Sequence, residues 1–227
     1  RAGEAALRVY AGENALSQYQ TARQLAAGEP EQFAALSGIG DAFAGLGRPA
    51  EAVRAYQEAL GAAPDDGERA ELLRRIARVH ERRGAYDEAI AAYGQARSFL
   101  RARSVSMTAV RTLDGLATVY VRLGRTDEAI ALCQDALVLL AMCGDQNDPA
   151  ERRRGEAWVH NTLGMAHLHA GDFSRARDHL GRSLANKRAL GDRLGEATLL
   201  NNLGVVDYHC GNDAEALEHY GESLRIK

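Results

Sequence analysis

The sequence predicts an all-α fold built from stacked antiparallel helical hairpins, an α-solenoid. The first observation is a glycine that stands five residues before an alanine at five places in the chain. The second is that large and small residues recur three and four positions apart on both sides of each glycine, which is the spacing of one helix face. The glycines also follow one another at a near-regular interval, as in a repeat array. The five pairs are Gly47/Ala52, Gly84/Ala89, Gly124/Ala129, Gly171/Ala176 and Gly211/Ala216.

Each predicted hairpin repeats the same arrangement of small and large residues. A glycine in the left-handed conformation can end the first helix, and small residues let the two helices approach closely. One hairpin cannot bury both of its apolar faces, so neighbouring hairpins must stack on it. The small residue before the glycine is Gly40, Ala77, Ala117, Gly164 or Gly204. The large residue after the alanine is Tyr56, Tyr93, Cys133, Leu180 or Tyr220. Four residues before the glycine stand Phe43, His80, Tyr120, His167 and Asp207.

The hairpin at residues 33–66 resembles the tetratricopeptide repeat. It carries that family's pattern at Leu36, Gly40, Phe43, Gly47, Ala52, Tyr56, Ala59 and Pro64. The resemblance extends over residues 33–227 as five repeats and implies a right-handed superhelix whose first helices line a concave wall. Upstream, Ala15, Tyr19 and Ala22 are placed like the later alanine, tyrosine and alanine. They predict a divergent sixth hairpin within residues 1–32, with its turn at Gly12, and therefore a single solenoid over 1–227.

The repeat interval is longer than the usual length of about 34 residues. Successive marker glycines lie 37, 40, 47 and 40 residues apart. Residues 189–197, followed by Asn201 to Gly204, resemble the longer-period subgroup of about 40 residues, found in bacterial regulators, kinesin light chains and cell-polarity adaptors that bind peptides. The longest interval contains a loop at 144–149, after which Asp148 is expected to cap a helix with Pro149 in its first turn.

Composition excludes several classes of partner. The 227 residues carry a net charge of −3 and a pI near 6.2, which argues against general affinity for nucleic acid, since that affinity rests on clustered cations. The longest apolar run, 136–143, is far shorter than the roughly 18 residues of a membrane span. No signal peptide is recognisable at the start. The three cysteines, Cys133, Cys143 and Cys210, form no even framework, so a reducing, cytoplasmic location is expected.

The wider context is predicted from the ends of the sequence. The chain begins with Arg1 and stops at Lys227 inside a helical pattern, so it is expected to be a fragment of a longer protein. Residues 5–15 resemble the segment that leads into tetratricopeptide arrays in bacterial signal-transduction ATPases with numerous domains. That resemblance implies an array that binds an inducer or partner and releases an upstream ATPase.

No catalytic or metal site is predicted. The sequence contains neither a G-x-S-x-G nucleophile motif nor a phosphate-binding G-x-x-x-x-G-K-[ST] loop. Histidines recur at equivalent repeat positions, as His169 and His209 do, so the array itself accounts for them. His167 and His169 point about 200° apart on a helix, so they do not readily share an ion. We therefore expect no enzyme activity, no cofactor and no metal.

Arg74, Arg78 and Arg82 are predicted to form one stripe on the concave wall. They lie four residues apart, and like charges at this spacing cost a helix roughly 0.2–0.5 kcal/mol per pair. The stripe is either a basic wall for an acidic segment or a solvated face with local ion pairs to Glu71 and Glu81. Both interpretations stay open at the level of the sequence.

Asn161, Asn201 and Asn202 are the second group of candidates for the concave wall. An amide offers both a donor and an acceptor, which suits the backbone of an extended peptide. Alternatively, these asparagines bond across to the next helix. Trp158 and Tyr208 are either binding anchors or part of the packing between helices. The chaperone-binding clamp of the family is not matched, because Ser37 and Asp41 occupy its first-repeat positions.

The function predicted from these patterns is a non-catalytic module that binds a protein or extended peptide, including an acidic one, on its concave face. It would be the sensor or scaffold portion of a multidomain bacterial regulator. The alternative is an assembly adaptor that bridges two proteins or self-associates through an exposed end of the array. A small-molecule sensor is a third class, and it would require a closed pocket.

Overall fold

The structure, a computed structural model, describes residues 2–100, 106–142 and 148–226, with side chains described from residue 10 onward in the first helix. All regular secondary structure in these ranges is helical. The helices are α1 (Ala2–Leu25), α2 (Glu29–Gly45), α3 (Pro49–Gly61), α4 (Asp66–Arg82), α5 (Tyr86–Phe99), α6 (Met107–Arg122), α7 (Thr126–Met142), α8 (Pro149–His169), α9 (Phe173–Ala189), α10 (Arg193–His209) and α11 (Asp213–Ile226). The predicted all-α fold is confirmed.

The chain divides into two compact units, Arg1–Arg103 and Ser104–Lys227. In the first unit, α2 pairs with α3 and α4 with α5, α3 packs on α4, and α1 packs on α2. In the second unit, the hairpins are α6–α7, α8–α9 and α10–α11, and each stacks on the next. These are the predicted antiparallel hairpins. That all of them form one continuous solenoid stays a prediction.

The marker glycines end the first helix of every hairpin. Gly47, Gly84, Gly124, Gly171 and Gly211 have φ between +72° and +79°, a conformation that favours glycine. The residue after each glycine donates its N–H to a carbonyl five positions back, as Arg48 does to Phe43 at 2.9 Å. This closes the helix in a Schellman motif. Gly191, between α9 and α10, has the same geometry at φ +65°, although no alanine follows it five residues later.

Most of the predicted packing positions are buried, whereas Phe43, His80, Tyr120 and Tyr220 are half-buried. The shared alanines are at most 3% exposed, and the large residue of one helix lies against the small residue of its partner. A Cβ atom on Gly40 would stand 2.4 Å from the Tyr56 ring, and one on Gly164 would stand 2.6 Å from Leu180 Cγ. Glycine is therefore required there for close approach.

The prediction of a sixth hairpin within residues 1–32 is wrong. Helix α1 runs without a turn from Ala2 to Leu25, and Gly12 has no positive φ. A Cβ on Gly12 would stand 2.7 Å from Leu46 Cδ2, so this glycine allows α1 to approach the end of α2. The Tyr19 ring lies against Gly38 of the following helix, α2. Tyr19 is 41% exposed, unlike Tyr56 at the equivalent repeat position, which is buried against the preceding helix.

The start of α8 is as predicted. The Asp148 carboxylate accepts a hydrogen bond from the Ala150 N–H at 3.0 Å, and Pro149 is the first helical residue. The rest of the predicted loop, at 144–147, lies outside the described residues, as does Cys143. Among the described helices, none is both long and apolar enough to cross a membrane.

Candidate functional site

In each unit a cleft lies between the first helices of neighbouring hairpins. In the first unit the cleft lies between α2 and α4 and has a volume of about 360 Å³. We call it the arginine cleft, and its charged lining residues are Asp41, Glu71, Arg74, Arg75, Arg78 and Arg82. In the second unit a cleft of about 300 Å³ lies between α6 and α8. We call it the asparagine cleft, lined by Thr118, Val121, Arg122, Asn161, Thr162, Met165 and His169.

The floor of the arginine cleft is neutralised by carboxylates. Arg74 is only 7% exposed, and its Nε donates to the Glu71 carboxylate at 2.9 Å. Arg75 donates to Asp41 Oδ2 at 2.9 Å and to Ser37 Oγ at 2.9 Å, which joins α4 to α2. Two of the four cations in the cleft are therefore committed to internal ion pairs.

The electrostatics of the floor agree with this pairing. Burial alone would raise the pKa of Glu71, but hydrogen bonds and charges from Arg74 and Arg75 outweigh it and lower that pKa. Burial raises the pKa of Tyr56, and so does its hydrogen bond to Asp41. The phenol donates to Asp41 Oδ1 at 2.7 Å. Asp41 is thus held from two sides, by Tyr56 and by Arg75.

Arg78 and Arg82 form the rim of the arginine cleft. Both are exposed, and within the described part of the chain neither has a carboxylate within salt-bridge distance. Glu81, which the sequence offered as a partner, instead accepts a hydrogen bond from the Tyr93 phenol at 3.3 Å. The structure therefore brings all three predicted arginines to one cleft, with Arg74 in its floor and two unpaired arginines at its rim.

The asparagine cleft contains only one of the three predicted asparagines. Asn161 lines it, and its Oδ1 accepts a hydrogen bond from Asn202 Nδ2 at 3.2 Å. This bond joins α8 to α10, as the alternative interpretation expected, although the partner is Asn202 and not the repeat-equivalent Asn201. Beside it, Thr162 donates to Asp114 at 2.7 Å. The amide nitrogen of Asn161 donates no hydrogen bond to another described residue.

Asn201, Trp158 and Tyr208 do not line either cleft. Asn201 and Tyr208 lie exposed on α10. Trp158 is half-buried, and the Arg111 guanidinium lies 5.2 Å from its ring centroid. Arg111 also pairs with Glu151 at 3.4 Å. Trp158 thus has a packing role between α6 and α8, and a role for these three residues in binding stays a prediction.

A stack of three histidines joins α8 to α9. The His179 ring lies between His160 and His167, with centroids 5.2 and 5.5 Å away. The Nδ1 atoms of His160 and His179 are 3.0 Å apart, so one donates to the other. Burial, and then the neighbouring histidines, lower the pKa of His179 to about 4. The stack is therefore neutral at neutral pH.

In the next hairpin an ion pair replaces this stack. Asp207 occupies the repeat position of His167 and is fully buried. It pairs with Arg177 of α9 and with His219 of α11, whose Nδ1 lies 2.6 Å from Asp207 Oδ2. The sequence contained a signal for this pair, because His219 follows Asp207 by the same twelve residues that separate His167 from His179.

Histidines and cysteines are the remaining candidates for chemistry among the described residues. No group of three or more His, Cys, Asp or Glu side chains in these ranges is placed to hold a metal ion. His167 is buried and His169 exposed, so the two do face apart. Cys133 is buried, as predicted, and burial together with the Asp114 charge raises the pKa of its thiol.

The repeat pattern is matched by a family model. The tetratricopeptide repeat model matches residues 31–102, 68–140, 108–189 and 155–227, which together reach from residue 31 to the end of the chain. The chain belongs to the tetratricopeptide repeat family. This confirms the predicted resemblance, and proteins of this family are generally non-catalytic binding modules. Among curated proteins, none matches this tetratricopeptide repeat sequence.

Several solved structures share the tetratricopeptide fold. BtubC (BKLC) from P. vanneervenii has a TM-score of 0.73 at 20% identity, over 96% of this chain and 89% of that chain. A Rap protein complexed with Competence and Sporulation Factor has a TM-score of 0.77 at 15% identity, over 93% and 57%. A putative kinesin light chain from Podospora anserina with TPR-like repeats has 0.65 at 17%, over 88% and 97%. At these identities the similarity shows the fold alone.

Proposed function

We propose that this tetratricopeptide repeat chain is a non-catalytic module that binds an extended segment of a partner protein on the inner faces of its first helices. The observation that carries the proposal is the rim of the arginine cleft, where Arg78 and Arg82 are exposed and unpaired within the described residues. Such cations attract a carboxylate-bearing partner and can form charge-assisted hydrogen bonds with it.

The asparagine cleft supports the same function by different chemistry. Asn161 is oriented by its bond to Asn202, which leaves amide hydrogens that can donate to a peptide carbonyl. The lining mixes apolar and polar side chains, as sites for extended segments commonly do. The arginine cleft would thus recognise a partner by its charge, and the asparagine cleft would recognise one by its backbone.

The proposal includes the wider context predicted from the sequence. Intervals of 37 to 47 residues between marker glycines favour the longer-period subgroup, and a kinesin light chain is among the structures of similar fold. The Rap structure contains a bound factor, which agrees with a sensor portion of a bacterial regulator. The odd number of cysteines favours a cytoplasmic location.

The test is capture of partners from an extract of the source organism by three purified forms of the chain. These are wild type, Arg78→Ala/Arg82→Ala and Asn161→Ala/Asn202→Ala, with Arg83→Gln as the matched control. Arg83 is exposed on the same helix end but does not line the cleft. We expect each double variant, but not Arg83→Gln, to lose a partner that wild type captures while circular dichroism stays unchanged. An identical set of captured proteins for all four forms would refute the inner-face proposal.

A second function, self-association through the α10–α11 end, has one specific observation in its favour. Leu184 of α9 is 7% exposed because α10 covers it, whereas Leu224, at the equivalent position of α11, is 74% exposed. Leu217 on the same helix is 72% exposed. Light scattering across a concentration series tests this adaptor proposal. If it holds, Leu217→Glu/Leu224→Glu abolishes a dimer that wild type forms, and a wild type that stays monomeric rules it out.

A further inference from the structure

The spacing of the two rim arginines defines which acidic segment fits the arginine cleft. Arg78 and Arg82 lie four residues apart on α4, so their side chains share one face and are separated by about 6 Å along the helix axis. In an extended chain, alternate residues also share a face, and they lie about 6.6 Å apart. Adjacent residues of an extended chain point to opposite faces.

We propose that the arginine cleft binds an extended peptide with acidic side chains at positions i and i+2, one carboxylate on Arg78 and the other on Arg82. This inference rests on the proposed function and names the partner chemistry of the same site. Each guanidinium can donate two parallel hydrogen bonds to a carboxylate. The two arginines together therefore recognise both the negative charge of the ligand and the spacing between its carboxylates.

The other charged residues of the cleft leave Arg78 and Arg82 as the two arginines that bind the ligand. Arg74 and Arg75 are already held by Glu71 and Asp41, and recruiting either of them would break an internal ion pair. Glu71 in the floor and the exposed Asp41 on α2 would repel a carboxylate that left the two rim arginines. The ligand therefore stays at the rim, where Arg78 and Arg82 project.

The wall opposite the arginines leaves room for an extended backbone. It is formed by Ala44 and Gly45 at the end of α2. A Cβ atom placed on Gly45 would meet nothing within 4 Å. Arg75 bridges α4 to Asp41 on α2, which joins the two helices across the cleft. A helical ligand is about 10–12 Å across, so we take the slimmer extended chain as the ligand.

The test compares two isomeric peptides of equal charge by fluorescence anisotropy. One is Ser-Thr-Glu-Thr-Glu-Thr-Ser, and the other, Ser-Thr-Glu-Glu-Thr-Thr-Ser, has its glutamates adjacent. We expect the first to bind on the order of tenfold more tightly, because only it can satisfy both arginines, and one charge-assisted contact is worth about a factor of ten. Its affinity should fall as salt rises, since both arginines are exposed.

Three variants assign the binding to the cleft. Arg78→Gln and Arg82→Gln should each lower the affinity for the i, i+2 peptide about tenfold and remove the preference for it over its isomer. Arg83→Gln should change neither the affinity nor the preference. Gly45→Leu should fill the open wall and reduce binding without reducing the thermal unfolding temperature. Equal affinity for the two isomers, a loss with Arg83→Gln as large as with Arg78→Gln, or no binding of either peptide would overturn the inference.

The two proposals fail in different ways. If neither peptide binds but the extract still yields a partner that Arg78→Ala/Arg82→Ala cannot capture, the spacing inference is wrong and the proposed function stands. If a stapled helical peptide with glutamates at i and i+4 binds more tightly than the extended one, the ligand conformation is wrong. If the extract yields no partner that depends on either cleft, the proposed function fails.

Discussion

The ring of Tyr56 fills the space that a side chain on Gly40 would need. A Cβ atom there would stand 2.4 Å from the ring carbons, and the ring cannot easily turn away, because its phenol is bonded to Asp41 at 2.7 Å. The same tyrosine therefore closes the α2–α3 hairpin and holds the carboxylate that orients Arg75. Packing and the arginine cleft are coupled through one side chain.

Gly40→Ala should destabilise the first unit by about 1–3 kcal/mol, the range for overpacking a tight interface. It should also weaken binding of the acidic peptide, because displacing Tyr56 moves Asp41, the carboxylate that orients Arg75. Urea denaturation measures the first effect and anisotropy the second. The matched control is Gly94→Ala on α5, where a Cβ meets nothing within 4 Å. It should raise stability by up to about 1 kcal/mol through helix propensity. Equal effects of the two substitutions would contradict the packing account.

Glu71→Gln should destabilise the chain by about 3 kcal/mol, because it leaves the buried Arg74 guanidinium without its countercharge. Thermal and urea unfolding at pH 7 measure the loss. Since the pKa of Glu71 is lowered on folding, its contribution is present above the unfolded pKa and disappears as pH falls through the folded pKa. The variant should therefore approach wild type in stability in strong acid. Glu51→Gln, which removes an exposed pair with Arg48, should change stability little at any pH.

The histidine stack should make the second unit sensitive to mild acid. The pKa of His179 falls from its ordinary value near 6.5 to about 4 on folding, so the unfolded chain binds more protons between these values. The stabilising contribution is complete above about pH 6.5 and decreases as pH falls toward 4. Urea midpoints at pH 7.5 and 5.0 measure the change, and NMR titration of the ring gives the pKa directly. His179→Gln should show a smaller difference between the two pH values. A His179 pKa near 6.5 in the folded protein would contradict this account.

Gly191→Ala should cost about 1–2 kcal/mol, because an alanine at φ +65° must adopt the left-handed conformation. Gly181→Ala on the neighbouring helix is the control, since its Cβ would meet open space within a regular helix. It should be neutral or stabilising. Differential scanning calorimetry of the two variants separates the backbone effect from that of adding a methyl group. If Gly191→Ala unfolds like wild type, the left-handed turn is not required.

Patterns within one hairpin were predictable from the sequence. Gly47 and its equivalents identified the helix ends, since few residues adopt the left-handed conformation, and a buried small residue opposite a large one followed from the spacing. A turn was wrongly predicted at Gly12, because a glycine can also allow close packing of two helices inside a continuous helix. Gly191 was missed because it closes a turn between hairpins, where the alanine rule does not apply.

Relations between hairpins were not predictable in the same way. Repeat equivalence pointed to Asn201 beside Asn161, yet the bond goes to Asn202, since contact between helices depends on their relative rotation and not on position in the repeat. The stripe of Arg74, Arg78 and Arg82 was visible in the sequence. Arg74 lies in the floor, whereas Arg78 and Arg82 have no carboxylate partner among the residues that the structure describes. This difference depends on where Glu71, Asp41 and Arg75 point.

The pairing of Gly40 with Tyr56 has a consequence for how such a chain can change. The same relation joins Gly164 to Leu180 and Gly204 to Tyr220, and in each case both partners belong to a single hairpin. A recombination event that exchanges a whole hairpin therefore carries both halves of this fit with it. A crossover between the two helices of one hairpin places the large residue from one parent against a mismatched residue from the other parent. Crossovers in the loops between hairpins should yield folded hybrids more often than crossovers at the marker glycines.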